Sequence, residues 1–247
     1  MNIAKKSNEH RLARHRLAFT LIELLVVISV IAVLAAFTIP VIGAIKKKEY
    51  ISSTQAQMNL IVTALESYKA DHGYYPPCNT NNAVTNQLYY ELVGTATNVV
   101  TGKTTYEPLD GGPGITQGNV SGYFAIGGLL NCSQGSGEDA KKARSYLLDL
   151  KPGQLATDAN SVKVLVASVN GPDTQYQPMP GFTSGNNNPA NPFRYVYPGT
   201  NNPSSYDLWI QLSIGSSFNG INSFTVTNKY LICNWSKQIQ VNNTSLP

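Results

Sequence analysis

Residues 16–40 read RLAFTLIELLVVISVIAVLAAFTIP. The stretch is a candidate membrane span with a carboxylate, Glu23, just inside its apolar run. An unpaired charge in hydrocarbon costs a few kcal/mol or more. The acid therefore needs a reason. From Leu24 to Ile45 the chain carries no charge over 22 residues. At about 1.5 Å per residue, a helix of this length just crosses roughly 30 Å of hydrocarbon. It ends on Lys46-Lys47-Lys48, which would sit among headgroups, and it contains Pro40. A proline inside a helix removes one hydrogen bond and crowds the turn before it, so a kink or loosening is expected near Thr38–Pro40.

The apolar pattern continues in another form. Met58, Ile61, Leu65 and Tyr68 lie three and four residues apart, with Gln55, Gln57, Asn59, Glu66 and Lys69 between them. That is an amphipathic stripe. Gly73 suits a helix C-cap and Pro76-Pro77 forbids continuation. The spacing predicts one helix over about 20–72, apolar all round in its first half and one-faced in its second.

Charge separates the ends of the chain. Of 18 Lys and Arg and 14 Asp and Glu, residues 1–18 hold Lys5, Lys6, Arg11, Arg14 and Arg16 against Glu9, leaving 13 bases and 13 acids beyond them. The net charge of +4 thus belongs to the leader, and no basic face on the body points to nucleic acid. A basic leader keeps the N-terminus cytoplasmic. Only 13% of residues are charged, and Asn, Gly, Ser, Thr, Tyr and Pro are abundant. This composition fits a loop-rich extracytoplasmic surface. Cys78, Cys132 and Cys233 form no C-x-x-C pair, and His10, His15 and His72 have no ligand spacing, which argues against zinc. Outside the cytosol, one disulfide with one thiol left over is allowed, and the pairing is open.

Downstream, Asn86–Val93 (NQLYYELV) predicts a short helix, residues 94–135 mostly loop, and Glu138–Leu150 (EDAKKARSYLLDL) a second helix capped at Ser136 or Gly137. Strands are expected at Val162–Val169, Phe193–Tyr197, Tyr206–Leu212, Phe224–Thr227 and Tyr230–Trp235, separated by Gly, Pro and Asn turns. Their short spacing predicts an antiparallel sheet, the natural partner of the helix stripe.

An ordinary signal peptide would be cut near Val33–Ala36 (VLAA). That explains neither Glu23 nor the apolar run beyond Ala36, nor the amphipathic continuation. The stretch Ala18-Phe19-Thr20-Leu21-Ile22-Glu23-Leu24-Leu25-Val26-Val27 resembles the type IV pilin and type II secretion pseudopilin family. The resemblance implies cleavage by prepilin peptidase between Ala18 and Phe19, and methylation of the new amine. It also implies assembly into a filament through the retained helix. Glu23 and Pro40 match the family's acid and mid-span proline. Ala18 stands where the family has glycine, so this departure touches the processing step and not the family. YKADHGYYPP (68–77) and NPFRYVYPGTNNPSSYDLW (191–209) look like segments of the major, G-type pseudopilins.

The implied fold is α+β and pilin-like, with a long N-terminal helix on a small antiparallel sheet. Residues 1–18 would be the cleaved leader, 19–45 the transmembrane half, 46–73 the amphipathic half and 74–247 a periplasmic head. Glu23 of one subunit would pair with the Phe19 amine of its neighbour, turning a costly acid into a register device. Partners implied by the resemblance are copies of the chain, prepilin peptidase, an inner-membrane assembly platform with its ATPase, and lipid before assembly. The chain would cross the inner membrane once, head outward, and then enter the fibre. Rivals within the class are a minor pilin or an adhesive or DNA-uptake pilin. Outside it, the rival is an exported soluble binding protein.

In the major pseudopilins the segment after Tyr-Asp-Leu-Trp carries calcium-binding aspartates. Here IQLSIGSSFNGINSFTVTNK (210–229) has no acid, so Asp207 is alone and no calcium is expected. No cofactor is expected either. No P-loop, G-x-S-x-G or H-E-x-x-H motif is present, and Glu138, Asp139, Asp149 and Asp158 fit solvated surface charge better than acid–base pairs. The expectation is a structural protein, not an enzyme.

Overall fold

The computed structural model describes residues 20–133, 142–169, 171, 183–184, 190–215 and 227–242, without the side chains of 37–42, 100, 183–184 and 227. The chain divides into two units, Met1–Val41 and Ile42–Pro247. Helix α1 runs over Leu21–His72, 52 residues. It continues as helix through Pro40, whose side chain lies outside the described residues.

In the second unit the expected stripe is buried. Met58, Ile61, Ala64, Leu65 and Tyr68 are all in the core. Thr54 and Gln57 join them, although glutamine belongs to the polar set of the sequence pattern. A buried amide needs partners. The Thr54 hydroxyl donates back to the Tyr50 carbonyl at 2.8 Å, and Gln57 Nε2 donates to the Val166 carbonyl at 2.8 Å. α1 stops at Gly73, whose N–H donates to the Lys69 carbonyl at 2.7 Å with φ +81°, the left-handed conformation that glycine adopts without strain.

Helix α2 (Leu88–Val93) follows, as expected. Residues 94–135 differ from the loop that their Gly, Thr and Asn content predicts. Strands β1 (Thr95–Val100) and β2 (Lys103–Pro108) pair antiparallel with Val100 opposite Lys103. Only Thr101 and Gly102 connect them, with φ of 51° and 77°. Two positive φ values give the turn whose twist matches the strands. Strand β3 (Ile115–Thr116), helix α3 (Gln117–Phe124) and β4 (Cys132–Ser133) complete this part, with sheet order β3-β2-β1-β4 and β4 parallel to β1.

Two further sheets follow. Strands β5 (Leu155–Thr157), β6 (Lys163–Ala167), β7 (Thr183–Ser184) and β8 (Asn191–Pro192) pair in the order β7-β5-β6-β8. Strands β9 (Arg194–Val196), β10 (Asp207–Gly215), β11 (Thr227–Cys233) and β12 (Gln240–Val241) form the third, in the order β12-β11-β10-β9. Leu208, Ile210, Leu212, Tyr230 and Ile232 share one buried core with the α1 stripe. Among the described residues, the single small sheet of the sequence reading is therefore three. The segment between α2 and β9 supplies pairing partners of its own.

The helix expected at 138–150 is also corrected. Residues 138–141, with the proposed caps Ser136 and Gly137, lie outside the described residues, and 142–150 is not helical. Tertiary bonds hold it open. The N–H groups of Tyr146 and Leu147 both donate to the Leu92 carbonyl at the end of α2, at 2.7 and 3.1 Å. Arg144 N–H donates to Asn131 Oδ1 at 3.0 Å. No disulfide joins Cys78, Cys132 and Cys233, so the bridge allowed by the sequence is not formed. Of the strand expected at Phe224–Thr227, residues 224–226 lie outside the described residues and Thr227 opens β11.

Candidate functional site

The candidate site lies where α1 begins. Ala18 and Phe19 are outside the described residues; Thr20 and Glu23 are inside them. Glu23 Oε2 accepts from the Thr20 peptide N–H and from the Thr20 hydroxyl, both at 2.8 Å. In return, the Glu23 N–H donates to Thr20 Oγ1 at 3.3 Å, and the Leu24 N–H closes the first helical bond to the Thr20 carbonyl at 3.2 Å. This is a capping box, in which a Thr N-cap and a Glu three residues on satisfy one another's orphan donors. Glu23 is thus not a lone acid even in a single chain. The T-x-x-E spacing was readable in the sequence, and it supplies a local reason for the residue alongside the intersubunit one. Glu23 Oε1 takes no part in these bonds. The carboxylate is four residues along the chain from Phe19, where cleavage after Ala18 would place a positive amine, and it is bonded to Thr20, the next residue after Phe19 in sequence.

Beyond the cap, the large apolar residues from Leu21 to Leu34 are all exposed, from 82% at Leu21 to 48% at Val27. The one hydroxyl among them, Ser29, donates to the Val26 carbonyl at 2.8 Å and so presents little polarity. An exposed apolar surface of this extent marks a face made for lipid or for other protein. Among the described residues, no helix is long and apolar enough to cross a membrane. The apolar run with described side chains, 21–36, covers roughly 24 Å of a hydrocarbon layer of roughly 30 Å.

Three other carboxylates, Glu91, Asp207 and Asp158, are engaged in structure. Glu91 of α2 is fully buried and accepts from Tyr68 Oη at 3.1 Å, Leu130 N–H at 2.8 Å and Asn131 N–H at 2.9 Å. It ties α1 to the segment before β4. Asp207 accepts from Asn201 N–H at 2.7 Å, Asn201 Nδ2 at 3.1 Å and Asn202 N–H at 3.0 Å. These bonds close the turn before β10. Residues 216–226 of the segment compared with the calcium-binding one lie outside the described residues. Asp158 likewise accepts from Asn160 N–H at 3.0 Å and Val162 N–H at 2.7 Å, as a turn former does. Among the described residues, no group of three or more His, Cys, Asp and Glu is arranged to hold a metal.

At the C-terminal end of α1, Tyr68 stacks on His72 at 4.2 Å between ring centroids, and Tyr146 packs against both. Burial, and then the bond to Asp71, pushes the Tyr146 phenol up to about 12. Burial also raises Tyr68, with the Glu91 carboxylate adding to it. These phenols are packing elements that stay protonated.

Searches of curated proteins and of solved structures give no significant match to the chain. One family model does match. Residues 13–39 fit the prokaryotic N-terminal methylation motif, a stretch that contains Ala18, Phe19, the Thr20–Glu23 capping box and the exposed apolar run. The chain therefore carries a prepilin-like N-terminal segment, which supports its placement with the type IV pilin-like proteins that prepilin peptidase processes.

Proposed function

We propose that this protein is a structural subunit, not an enzyme, of a type II secretion pseudopilus or a type IV pilus-like filament, nearest to the major, G-type pseudopilins. The observation that carries the reading is the methylation motif over 13–39 on a helix whose large apolar residues from Leu21 to Leu34 are all exposed. Prepilin peptidase cuts after Ala18 and frees the Phe19 amine. Residues 19–45 hold the subunit in the inner membrane, N-terminus inside and head in the periplasm. The assembly platform and its ATPase then draw it into the fibre. There the apolar halves of neighbouring α1 helices pack together, and Pro40 lets each one adjust. Glu23 stays on its Thr20 cap through Oε2 and presents Oε1 to the Phe19 amine of the next subunit. An N-terminal helix that packs on the next copy makes a contact that repeats instead of closing.

The test is the N-terminus and intact mass of the protein from its host's membranes, followed by Glu23→Ala. A start at methylated Phe19, and loss of cross-linked multimers in Glu23→Ala, are the expected results. A start at Ala36 or Phe37 would mean a discarded signal peptide and would end this reading.

A further inference from the structure

Charge is spread unevenly over the second unit, and the axis of α1 measures it. Where α1 enters this unit, Lys46, Lys47 and Lys48 follow Ile45 within one turn, and Ile45 is 59% exposed. Lys46 forms an ion pair with Glu49 at 3.0 Å, and Lys48 is exposed. Lys47 Nζ lies 5.7 Å from the centroid of the Tyr230 ring on β11, within cation–π range. That contact places Lys229, the residue before Tyr230, at the same end of the unit. Tyr230 pairs with Val241 of β12. Paired residues share a face, so Val241, 55% exposed, stands beside the same contact. Asn242 clips the two strands together here. Its N–H donates to the Lys229 carbonyl at 2.8 Å, and its Oδ1 accepts from the Lys229 N–H at 2.9 Å.

The acids tied to α1 lie elsewhere. After Glu49 the next acid on α1 is Glu66, roughly 28 Å from Lys47 along the axis. Glu91 meets α1 at Tyr68, and Asp207 follows Tyr206, which bonds to Glu66. From residue 208 to residue 247 the sequence holds no Asp or Glu. Salt screens exposed charges beyond roughly 8–10 Å, so these distant acids do not cancel the rim. Among the described residues, Lys46, Lys47, Lys48 and Lys229 face Glu49 alone at this end, and the rim is cationic. Lysines just beyond an apolar run also oppose the usual bias, which gathers Lys and Arg on the cytoplasmic side. The basic leader already sets the orientation, so these lysines need another reason.

We propose that this rim rests on the outward face of the inner membrane and holds the headgroup phosphates of anionic phospholipids. This rests on the membrane-held subunit of the proposed function and names its lipid partner. Two observations select lipid. The rim is cationic, which complements an anionic surface. It also lies within one turn of the end of the uncharged run and carries exposed Ile45 and Val241 among its lysines. A lysine stem lies along apolar surface while its amine reaches for phosphate, which is the arrangement of a bilayer interface.

The experiment reconstitutes the full chain in vesicles of phosphatidylcholine that contain phosphatidylglycerol. A photo-reactive residue at 241 should cross-link to lipid, and one at 74, past the far end of α1, should not. Spin-labelled phosphatidylglycerol should be held beside the protein about tenfold or more in preference to spin-labelled phosphatidylcholine. Lys48→Gln and Lys229→Gln should each lower that preference by about threefold to fivefold, the worth of one lysine at an anionic surface, with melting temperature unchanged. High salt should weaken it. No preference between the lipids, a preference that Lys229→Gln leaves whole, or a residue 241 that finds no lipid overturns the rim contact and leaves the proposed function standing. A chain that washes off the vesicles at alkaline pH is not anchored by its apolar half and overturns both.

Discussion

The two halves of α1 are one continuous helix built from the same kinds of apolar residue, yet they meet opposite fates. Leu25 is 54% exposed and Leu65 is fully buried. The difference lies in the pattern. In residues 21–36 apolar side chains point in every direction, so no single sheet could cover them. In residues 54–68 most of them, Met58, Ile61, Ala64, Leu65 and Tyr68, occupy one stripe that the core covers, with Leu60 left outside it. The first half is built to be finished by something outside the chain, the second by the chain itself.

Exchanging one leucine in each half tests this most strongly. Leu65→Ala should cost the folded unit about 2–5 kcal/mol, as loss of a buried leucine does, and lower its melting temperature. Leu25→Ala should leave that melting temperature unchanged and act only on multimer yield. Equal effects on melting would break the comparison.

Glu91→Ala comes next. It leaves the Leu130 and Asn131 amides and the Tyr68 hydroxyl without their acceptor, at a cost of about 1–3 kcal/mol in urea unfolding. Glu107→Ala, at an exposed carboxylate on β2, should shift the same curve by less than about 0.5 kcal/mol.

Alkaline pH sharpens the contrast. The folded state holds the Tyr146 proton up to about 12, and burial raises Tyr68, Tyr89 and Tyr206 as well, against an unfolded value near 10.0. A group raised in the folded state gives its full stabilisation below the unfolded value and loses it as pH climbs through the folded one. The tyrosine contribution to the stability of the second unit should therefore be flat below pH 10 and fall from there to 12 and beyond. Tyr146→Phe should soften the decline.

The smallest effect is expected at the cap. Thr20→Ala should cost the start of α1 about 1 kcal/mol. Faster hydrogen exchange at the first-turn amides would show it, with no change in melting of the second unit.

Much of this was legible in sequence, for reasons that can be stated. The span of α1, its stop at Gly73 and the stripe from Met58 to Tyr68 follow from periodicity and two breakers. The strands β6, β9, β10 and β11 follow from alternating β-branched and aromatic residues. The β1–β2 hairpin did not stand out, because its strands are threonine-rich and its turn is Thr101-Gly102 in place of the usual Asn-Gly. Residues 142–150 carry a helix-like pattern, and the α2 carbonyl of Leu92 outbids it. Gln57 was placed on the polar face because nothing local announces an acceptor 109 residues away. At the candidate site, Glu23 was conspicuous as a charge, whereas its bond to Thr20 needed the helix start to be fixed first.

The distant partners of α1 and of the turn after it have one more consequence, and it concerns time. Glu66 meets Tyr206 across 140 residues, Gln57 meets Val166 across 109, and Pro76 meets Tyr195 across 119. Such long-range closures are slow, and they wait for the whole chain. At roughly 5–20 residues per second, synthesis alone takes roughly 7–28 s to deliver Tyr206 after Glu66. The first helix to emerge is thus the last to be covered. A newly made subunit spends that interval with a sticky helix and no head, and whatever holds its N-terminal half in place during the delay acts as its chaperone.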